Sequence, residues 1–284
     1  MNPSEEHPQT RHITNTSKPL NLISTPTLLP GHDLHDRTHR RHGPRRNPQS
    51  PLRKAREDPP SSCLVLTRAV GKYVDAHDYN DLAVSASISN SLLLHFRPGE
   101  HIIAQAGGLN TFMGFQGLTF TDCGGFQVSS EGLNHTLTKQ GIRFRNPYSG
   151  VAETITPRSI MHIQEAIGAD VAMAFDDMAA YGSDHSRFTH AAENTLRWHQ
   201  ESLTHHSRAQ QLLFGICQGG FDPNLRAHCA QTISALNFDG YAIGGVAIGE
   251  PKTDMYLAIH AALPHLPKNK PRYVMGVGSP EDIV

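Results

Sequence analysis

Short apolar runs alternating with amphipathic segments, and a polar or glycine residue closing each run, predict an α/β fold of the (β/α)8 barrel type, incomplete within these 284 residues. The runs are Leu118–Asp122, Asp170–Asp176, Leu212–Gln218, Gly240–Gly245 and Arg272–Gly276, each five to seven residues long. They are mostly apolar within, as strands buried on both faces should be. The intervals between them, some thirty to forty-five residues, leave room for one helix per crossover and so for a parallel sheet. No Gly-x-Gly-x-x-Gly follows a strand, so a dinucleotide-binding sheet has little support. The residues that close the runs are Asp122, Asp176, Gln218, Gly244-Gly245 and Gly276. A barrel gathers its strand ends on one rim and builds its site there, so these positions predict a small polar pocket holding two carboxylates and one carboxamide.

The helices follow from capping and periodicity. Thr156-Pro157 reads as an N-cap followed by proline at the first helical position, with Ile160, Ile163 and Ile167 on one face. Further helices are expected at about 187–205, 223–236 and 252–263. Trp198, His199, His205 and His206 fall on the first of these and read as packing and surface residues. Upstream of residue 100 only Ile88–Phe96 keeps an apolar run, so about five clear strands are expected and the amino-terminal strands of a closed barrel are expected to be missing.

Residues 1–60 have a different character. They hold ten of the 19 prolines, six of the 19 histidines and a local charge of +4, which leaves −5 for the remainder of a chain whose net charge is −1. Such a segment cannot bury enough apolar surface to offset its ordering entropy and reads as a disordered tail ahead of a catalytic domain at 87–284. Ser24–Pro30 is its one strand-like phrase. The balanced total charge gives no general argument for nucleic acid. Four scattered cysteines without a Cys-x-x-Cys spacing argue against a disulfide framework or a self-contained metal site, and for a reducing cytoplasm. Cys123 and Cys217 read as buried small residues. No apolar stretch reaches the roughly eighteen residues of a membrane span, and no secretory signal precedes the domain.

The strand ends also carry motifs: Phe96-Arg-Pro-Gly99, Gly107-Gly-Leu-Asn-Thr-Phe-Met-Gly114, Thr121-Asp-Cys-Gly-Gly-Phe-Gln-Val128, Phe175-Asp-Asp177 and Phe214-Gly-Ile-Cys-Gln-Gly-Gly220. Gly240-Tyr-Ala-Ile-Gly-Gly-Val246, Gly249-Glu-Pro251 and Pro271-Arg-Tyr-Val-Met-Gly-Val-Gly278 complete the set. In this order and spacing they resemble the tRNA-guanine transglycosylases, barrel enzymes that exchange a guanine in tRNA for queuine or a 7-deazaguanine precursor. The resemblance implies tRNA and a guanine or 7-deazaguanine base as partners, with a homodimer or a heterodimer with a homologous subunit as the assembly.

By position, it makes Asp122 the acid/base carboxylate and Asp176 the acceptor for the guanine edge. Gln218 and the Gly245 N–H match the donors to O6, while Phe126 and Met275 match the stacking residues. Val246 and Glu250 match the wall beside the 7-substituent. The reaction implied is a retaining exchange through a covalent ribosyl-enzyme intermediate. The nucleophilic aspartate of an Asp-x-x-x-Pro-Thr-Arg segment, and three cysteines and a histidine for one structural zinc, are expected beyond Val284, so no metal ligand is assigned within the chain. Met178 stands where the bacterial enzymes usually have cysteine, and Ser129 where a bulkier residue is usual. Two other readings remain: a non-catalytic accessory subunit, and an unrelated barrel enzyme binding a phosphorylated metabolite through the Ala242–Ala247 loop.

Overall fold

The computed structural model describes residues 60, 62–66, 68–71, 73–125 and 135–283. The tail, the Ser24–Pro30 phrase, Phe126 and Ser129 lie outside the described residues.

Seven parallel strands form one sheet in the order β1 (Leu64–Leu66), β2 (Ala86–Asn90), β3 (Leu118–Asp122), β7 (Val171–Met173), β8 (Leu212–Cys217), β9 (Gly240–Ile243) and β10 (Arg272–Val274). Each new strand is added on the same side as the last, so the order never reverses, unlike that of an open doubly wound sheet. The sheet curls. Phe120 on β3 meets Phe214 on β8 at 6.1 Å and Tyr273 on β10 at 6.2 Å, although β10 lies four places from β3 in the sheet. Val65 on the β1 edge and Tyr273 on the β10 edge line a common cavity. The fold is a curled parallel sheet with crossover helices, the incomplete α/β barrel that the sequence predicts.

Two expectations are corrected. Amino-terminal strands are present: β1 and β2 precede the five predicted runs. The Ile88–Phe96 run is not one element but the end of β2 followed directly by helix α2 (Ser91–Phe96). Asn90 is the hinge between them, because its side chain accepts the Leu93 N–H at 2.8 Å as an N-cap. The sequence also gave no sign of a second sheet. Antiparallel strands β4 (His135–Leu137), β5 (Ile142–Arg145) and β6 (Ala152–Ile155) are inserted between β3 and the next barrel helix. Along β5 burial alternates, with Ile142 and Phe144 inward and Arg143 and Arg145 in solvent.

Short helices α1 (Ala76–Asp81), α3 (Glu100–Gln105) and α4 (Leu109–Met113) flank α2 in sequence. The long crossovers are α5 (Pro157–Ile167), α6 (His185–His205), α7 (Pro223–Ser234) and α8 (Lys252–Ala262), and α9 (Pro280–Ile283) follows β10. The α5 start is the expected one: Thr156 caps Ser159 N–H, Ser159 returns to Thr156 N–H, and Pro157 fills the first position. Its inner face carries Ile160, Ile163, Ile167 and a fully buried Gln164. That carboxamide accepts from Thr121 Oγ1 at 2.8 Å and donates to the Met173 carbonyl at 2.9 Å, tying the helix to β3 and β7 at once. No helix among the described residues is long and apolar enough to cross a membrane.

The stripe on α6 is mixed rather than apolar, with Thr195, Trp198, His199 and Ser202 all buried. Trp198 is a packing residue: it is fully buried and stacks on Phe175 with ring centroids 4.7 Å apart. His199 accepts the Ile216 N–H at 3.2 Å, and burial lowers its pKa to about 3, so it is neutral. Truncating the largest of these side chains leaves a cavity that the barrel and helix cannot both close. Trp198→Ala is therefore expected to cost about 3–5 kcal/mol of unfolding free energy, measured by chemical denaturation.

Candidate functional site

At the carboxyl ends of the strands lies a cavity of about 210 Å³. Asp122, Asp176, Gln218, Gly245, Val246 and Met275 all line it, together with Cys123, Met178 and Tyr273. Glu250 does not line it. Its carboxylate accepts the Ala247 and Ile248 N–H groups at 2.5 and 2.8 Å, and those two residues do form part of the wall.

Asp176 comes three residues after β7, in a segment that is neither strand nor helix. The backbone there needs partners, and α6 supplies them from one face: Ser202 Oγ accepts the Phe175 N–H at 3.3 Å and Thr195 Oγ1 accepts the Asp177 N–H at 3.0 Å. The Asp177 side chain completes the anchor. Arg187 grips it with both terminal nitrogens, and Asn194 Nδ2 donates to it at 2.9 Å. Asp177 is thus a structural carboxylate, and its neighbour is left pointing into the cavity. Asp176 accepts from Gln218 Nε2 at 2.6 Å and from Cys123 Sγ at 2.9 Å. Burial raises its pKa, the two donors pull the other way, and the nearby Asp177 charge raises it further.

Asp122 is the last residue of β3. Its carboxylate accepts from Asn90 Nδ2 at 2.8 Å and from the Gly124 N–H at 3.0 Å. Burial outweighs both donors and, with a smaller push from Asp176, holds its pKa at about 7. A carboxyl group that exchanges its proton near neutrality is suited to acid/base work.

The opposite side of the rim depends on a residue that sequence reasoning missed. Arg226 on α7 is fully buried and faces no carboxylate among the described residues. Its guanidinium donates to the carbonyls of Cys217 at 2.9 Å, Gly244 at 2.7 Å and Gly220 at 2.7 and 3.1 Å, with Gly245 at 3.5 Å. In a trans peptide the C=O and the following N–H point in opposite directions. Drawing the Gly244 carbonyl toward Arg226 therefore turns the Gly245 N–H away from the guanidinium. The signal was present in the sequence: Arg226 shares its helical stripe with buried Cys229, Ala230 and Ile233, an unusual place for a charge. Glycine is required at 245, where φ is +63° and a Cβ would stand 2.5 Å from Gln218 Oε1.

No group of three or more His, Cys, Asp or Glu side chains among the described residues could hold a metal ion.

The model of the family described as queuine tRNA-ribosyltransferase matches residues 52–284. A queuine tRNA-ribosyltransferase of Desulforamulus reducens is 41% identical over 220 residues, 78% of this chain and 60% of the relative. One from Nostoc sp. is 43% identical over 220 residues, 78% of this chain and 59% of the relative. One from Nitrosomonas europaea is 40% identical over 225 residues, 79% and 61% respectively. The chain spans about three fifths of the length of these curated relatives.

Two outcomes follow from the geometry alone. In the unfolded chain Asp122 loses its proton near its ordinary value of 3.8, and in the folded chain only near 7. Stability is therefore intact below about pH 4 and falls as pH rises toward 7, because only the unfolded state gains by ionising there. Asp122→Asn removes the fall. Thermal melts across this window should show the variant gaining on the parent by about 3–4 kcal/mol, and a constant difference would contradict the account. Arg226→Met should speed amide hydrogen exchange in residues 244–247 at least about tenfold while leaving β3 and β7 protected, as mass spectrometry of peptides would show.

Proposed function

Because the chain belongs to the queuine tRNA-ribosyltransferase family, we propose that it is a tRNA-guanine transglycosylase, replacing a guanine at the wobble position of tRNA with queuine or a 7-deazaguanine precursor. The observation that carries this reading is the convergence of Asp176, Gln218 and Gly245 on one cavity that Asp122 also lines. Guanine offers two adjacent donors, N1–H and the 2-amino group, beside one acceptor, O6. A carboxylate next to a carboxamide N–H and a backbone N–H is the complement of that edge. Within the wall Gln218 donates to Asp176 at 2.6 Å. An arriving guanine gives Asp176 two donors in exchange and leaves the Gln218 amide free for O6. Adenine would set its N1 lone pair against the carboxylate, so the same wall rejects it.

Met275 supplies a polarizable surface for the base, and the family resemblance gives Phe126 a stacking role. Val246 and the loop that Glu250 fixes border the region of the 7-substituent, so Glu250 acts on base choice through the shape of residues 247 and 248.

The exchange breaks the bond from ribose C1′ to the guanine nitrogen and makes a new one at the same carbon. A carboxylate attacks C1′, the base leaves with the bonding electrons, and a covalent ribosyl-enzyme intermediate forms. The incoming base then displaces the carboxylate, restoring the original configuration. Asp122 gives the departing base its proton and takes one from the arriving base. The attacking aspartate is assigned by resemblance to the Asp-x-x-x-Pro-Thr-Arg segment, which residues 1–284 do not contain. The substrate assigns the reaction to the cytoplasm, and a dimer of this chain, or one with a homologous subunit, is the proposed assembly.

Equilibrium dialysis with labelled guanine tests the reading at its foundation. The chain should bind guanine and not adenine. Asp176→Asn should weaken binding about 10- to 100-fold, the loss of a charged acceptor. Gly245→Ala should do comparable damage by displacing Gln218. Guanine binding that is absent in the parent chain, or indifferent to Asp176, would falsify the proposal. Incorporation of labelled guanine into tRNA, lost in Asp122→Asn, then tests the transfer.

A further inference from the structure

A second group of side chains stands on the same rim and is used by nothing described so far. Arg68 lies two residues beyond the carboxyl end of β1, Arg97 directly follows α2, Arg145 is the last residue of β5, and Tyr148 lies in the turn between β5 and β6. The insertion that carries this turn leaves the barrel at the rim end of β3. The Tyr148 ring is the meeting point. Arg97 sits 4.9 Å from its centroid and Arg68 5.9 Å, and Arg68 Nη2 donates to the Tyr148 hydroxyl at 2.7 Å. Arg145 donates to the Gly150 carbonyl at 2.5 Å, within the same turn.

Two guanidinium groups thus meet at one aromatic ring, with a third held at the same turn by the Gly150 carbonyl, in a chain whose net charge is −1. Among the described residues none of them has a carboxylate partner. The acids nearest in sequence and space are already engaged: His95 contacts Glu100 at 2.7 Å and Glu153 at 3.5 Å, and Asn146 donates to Glu153 at 2.8 Å. Mutual repulsion opposes such a cluster, and the cation–π contacts offset it only in part. The ring and the backbone nevertheless hold the guanidinium groups in place while occupying few of the five N–H donors each carries. The arrangement is preorganised, outward-facing and short of an anion. Tyr148 keeps 45% of its surface in solvent.

We propose that Arg68, Arg97, Arg145 and Tyr148 form a docking platform for the RNA sugar–phosphate backbone beside the extruded guanine. The inference rests on the proposed RNA substrate and adds to it where the strand runs. A base drawn into the cavity pulls its flanking nucleotides across the rim, within reach of this turn. Planar guanidinium groups match phosphate oxygens two at a time, and a tyrosine face accepts an unstacked base without regard to its identity.

The test uses the whole 284-residue chain and a short fluorescein-labelled RNA stem-loop with one guanine in its loop, followed by anisotropy over a range of salt concentrations. The double substitution Arg68→Gln with Arg97→Gln should weaken RNA binding about tenfold or more at moderate salt. It should also flatten the plot of log affinity against log salt by about 1–2, one step per lost phosphate contact. Arg68→Lys with Arg97→Lys should restore most of the slope. Arg272→Gln, an exposed arginine at the far end of β10, should leave it unchanged. Dialysis with free guanine should give the same affinity for all four proteins, which also shows that the cavity is intact.

Equal slopes in the parent and the double variant overturn the platform, as does an equal loss in Arg272→Gln. A parent chain that binds guanine but no RNA, even at low salt, overturns it and leaves the base site standing. RNA binding that depends on Arg68 and Arg97 in a chain that ignores guanine supports the platform and sinks the reading of the cavity.

Discussion

A carboxylate taken out of water must be given donors, and Asp176 is the point at which this fold meets that demand. Ionised and buried, it would be costly on its own. The protein surrounds it with a thiol from the β3 loop and a carboxamide from the end of β8, and each of these needs a fixed backbone behind it. The β7 loop is fixed by α6 through Ser202 and Thr195, and through Arg187 and Asn194 acting on Asp177. The β8 and β9 loops are fixed by Arg226. A single desolvated charge therefore accounts for polar side chains on the inner faces of two long helices, positions that would otherwise be filled by Leu or Ile.

The two buried charges on this rim are handled differently. Asp176 has a thiol and a carboxamide as donors, both belonging to residues that line the cavity with it. Arg226 has only carbonyls, spread over two loops and internal to the fold. One charge faces the cavity and the other is turned into the architecture, and the contrast follows from what each touches. Asp122 lies between these cases: its donors, Asn90 and the Gly124 N–H, are too few to offset burial, so its proton affinity moves to about 7.

How far the sequence speaks for this arrangement varies along the chain. The later barrel strands are legible because strands buried on both faces become continuous apolar runs, and the rim residues are legible because they end those runs. The first strands are not. β2 reads Ala-Ser-Ile-Ser-Asn, with Ser87 and Ser89 buried against expectation, and β1 is a three-residue edge with Leu64 and Val65 exposed. The inserted sheet escapes because three- and four-residue strands carrying Arg143, Arg145 and Glu153 have neither an apolar run nor a turn signal strong enough to stand out. The pins on α6 are invisible for a different reason: Thr195 and Ser202 are ordinary helix residues until the loop they hold, some 18–27 residues earlier, is placed beside them. Arg226 was legible in principle, as a charge on an apolar stripe.

The inserted antiparallel sheet meets the rest of the molecule through few side chains, chiefly Phe144 and Tyr148 against Phe96, Glu153 against His95, and the Lys139 carbonyl with Trp198 and Arg197. Its outward face supports nothing beneath it. Substitutions at Arg143, Thr154 or the tip of the turn can accumulate without altering strand register or the hold on Asp176. The surface that the inserted sheet presents can thus change while the hold on Asp176 stays as it is, so that the two vary as separate traits.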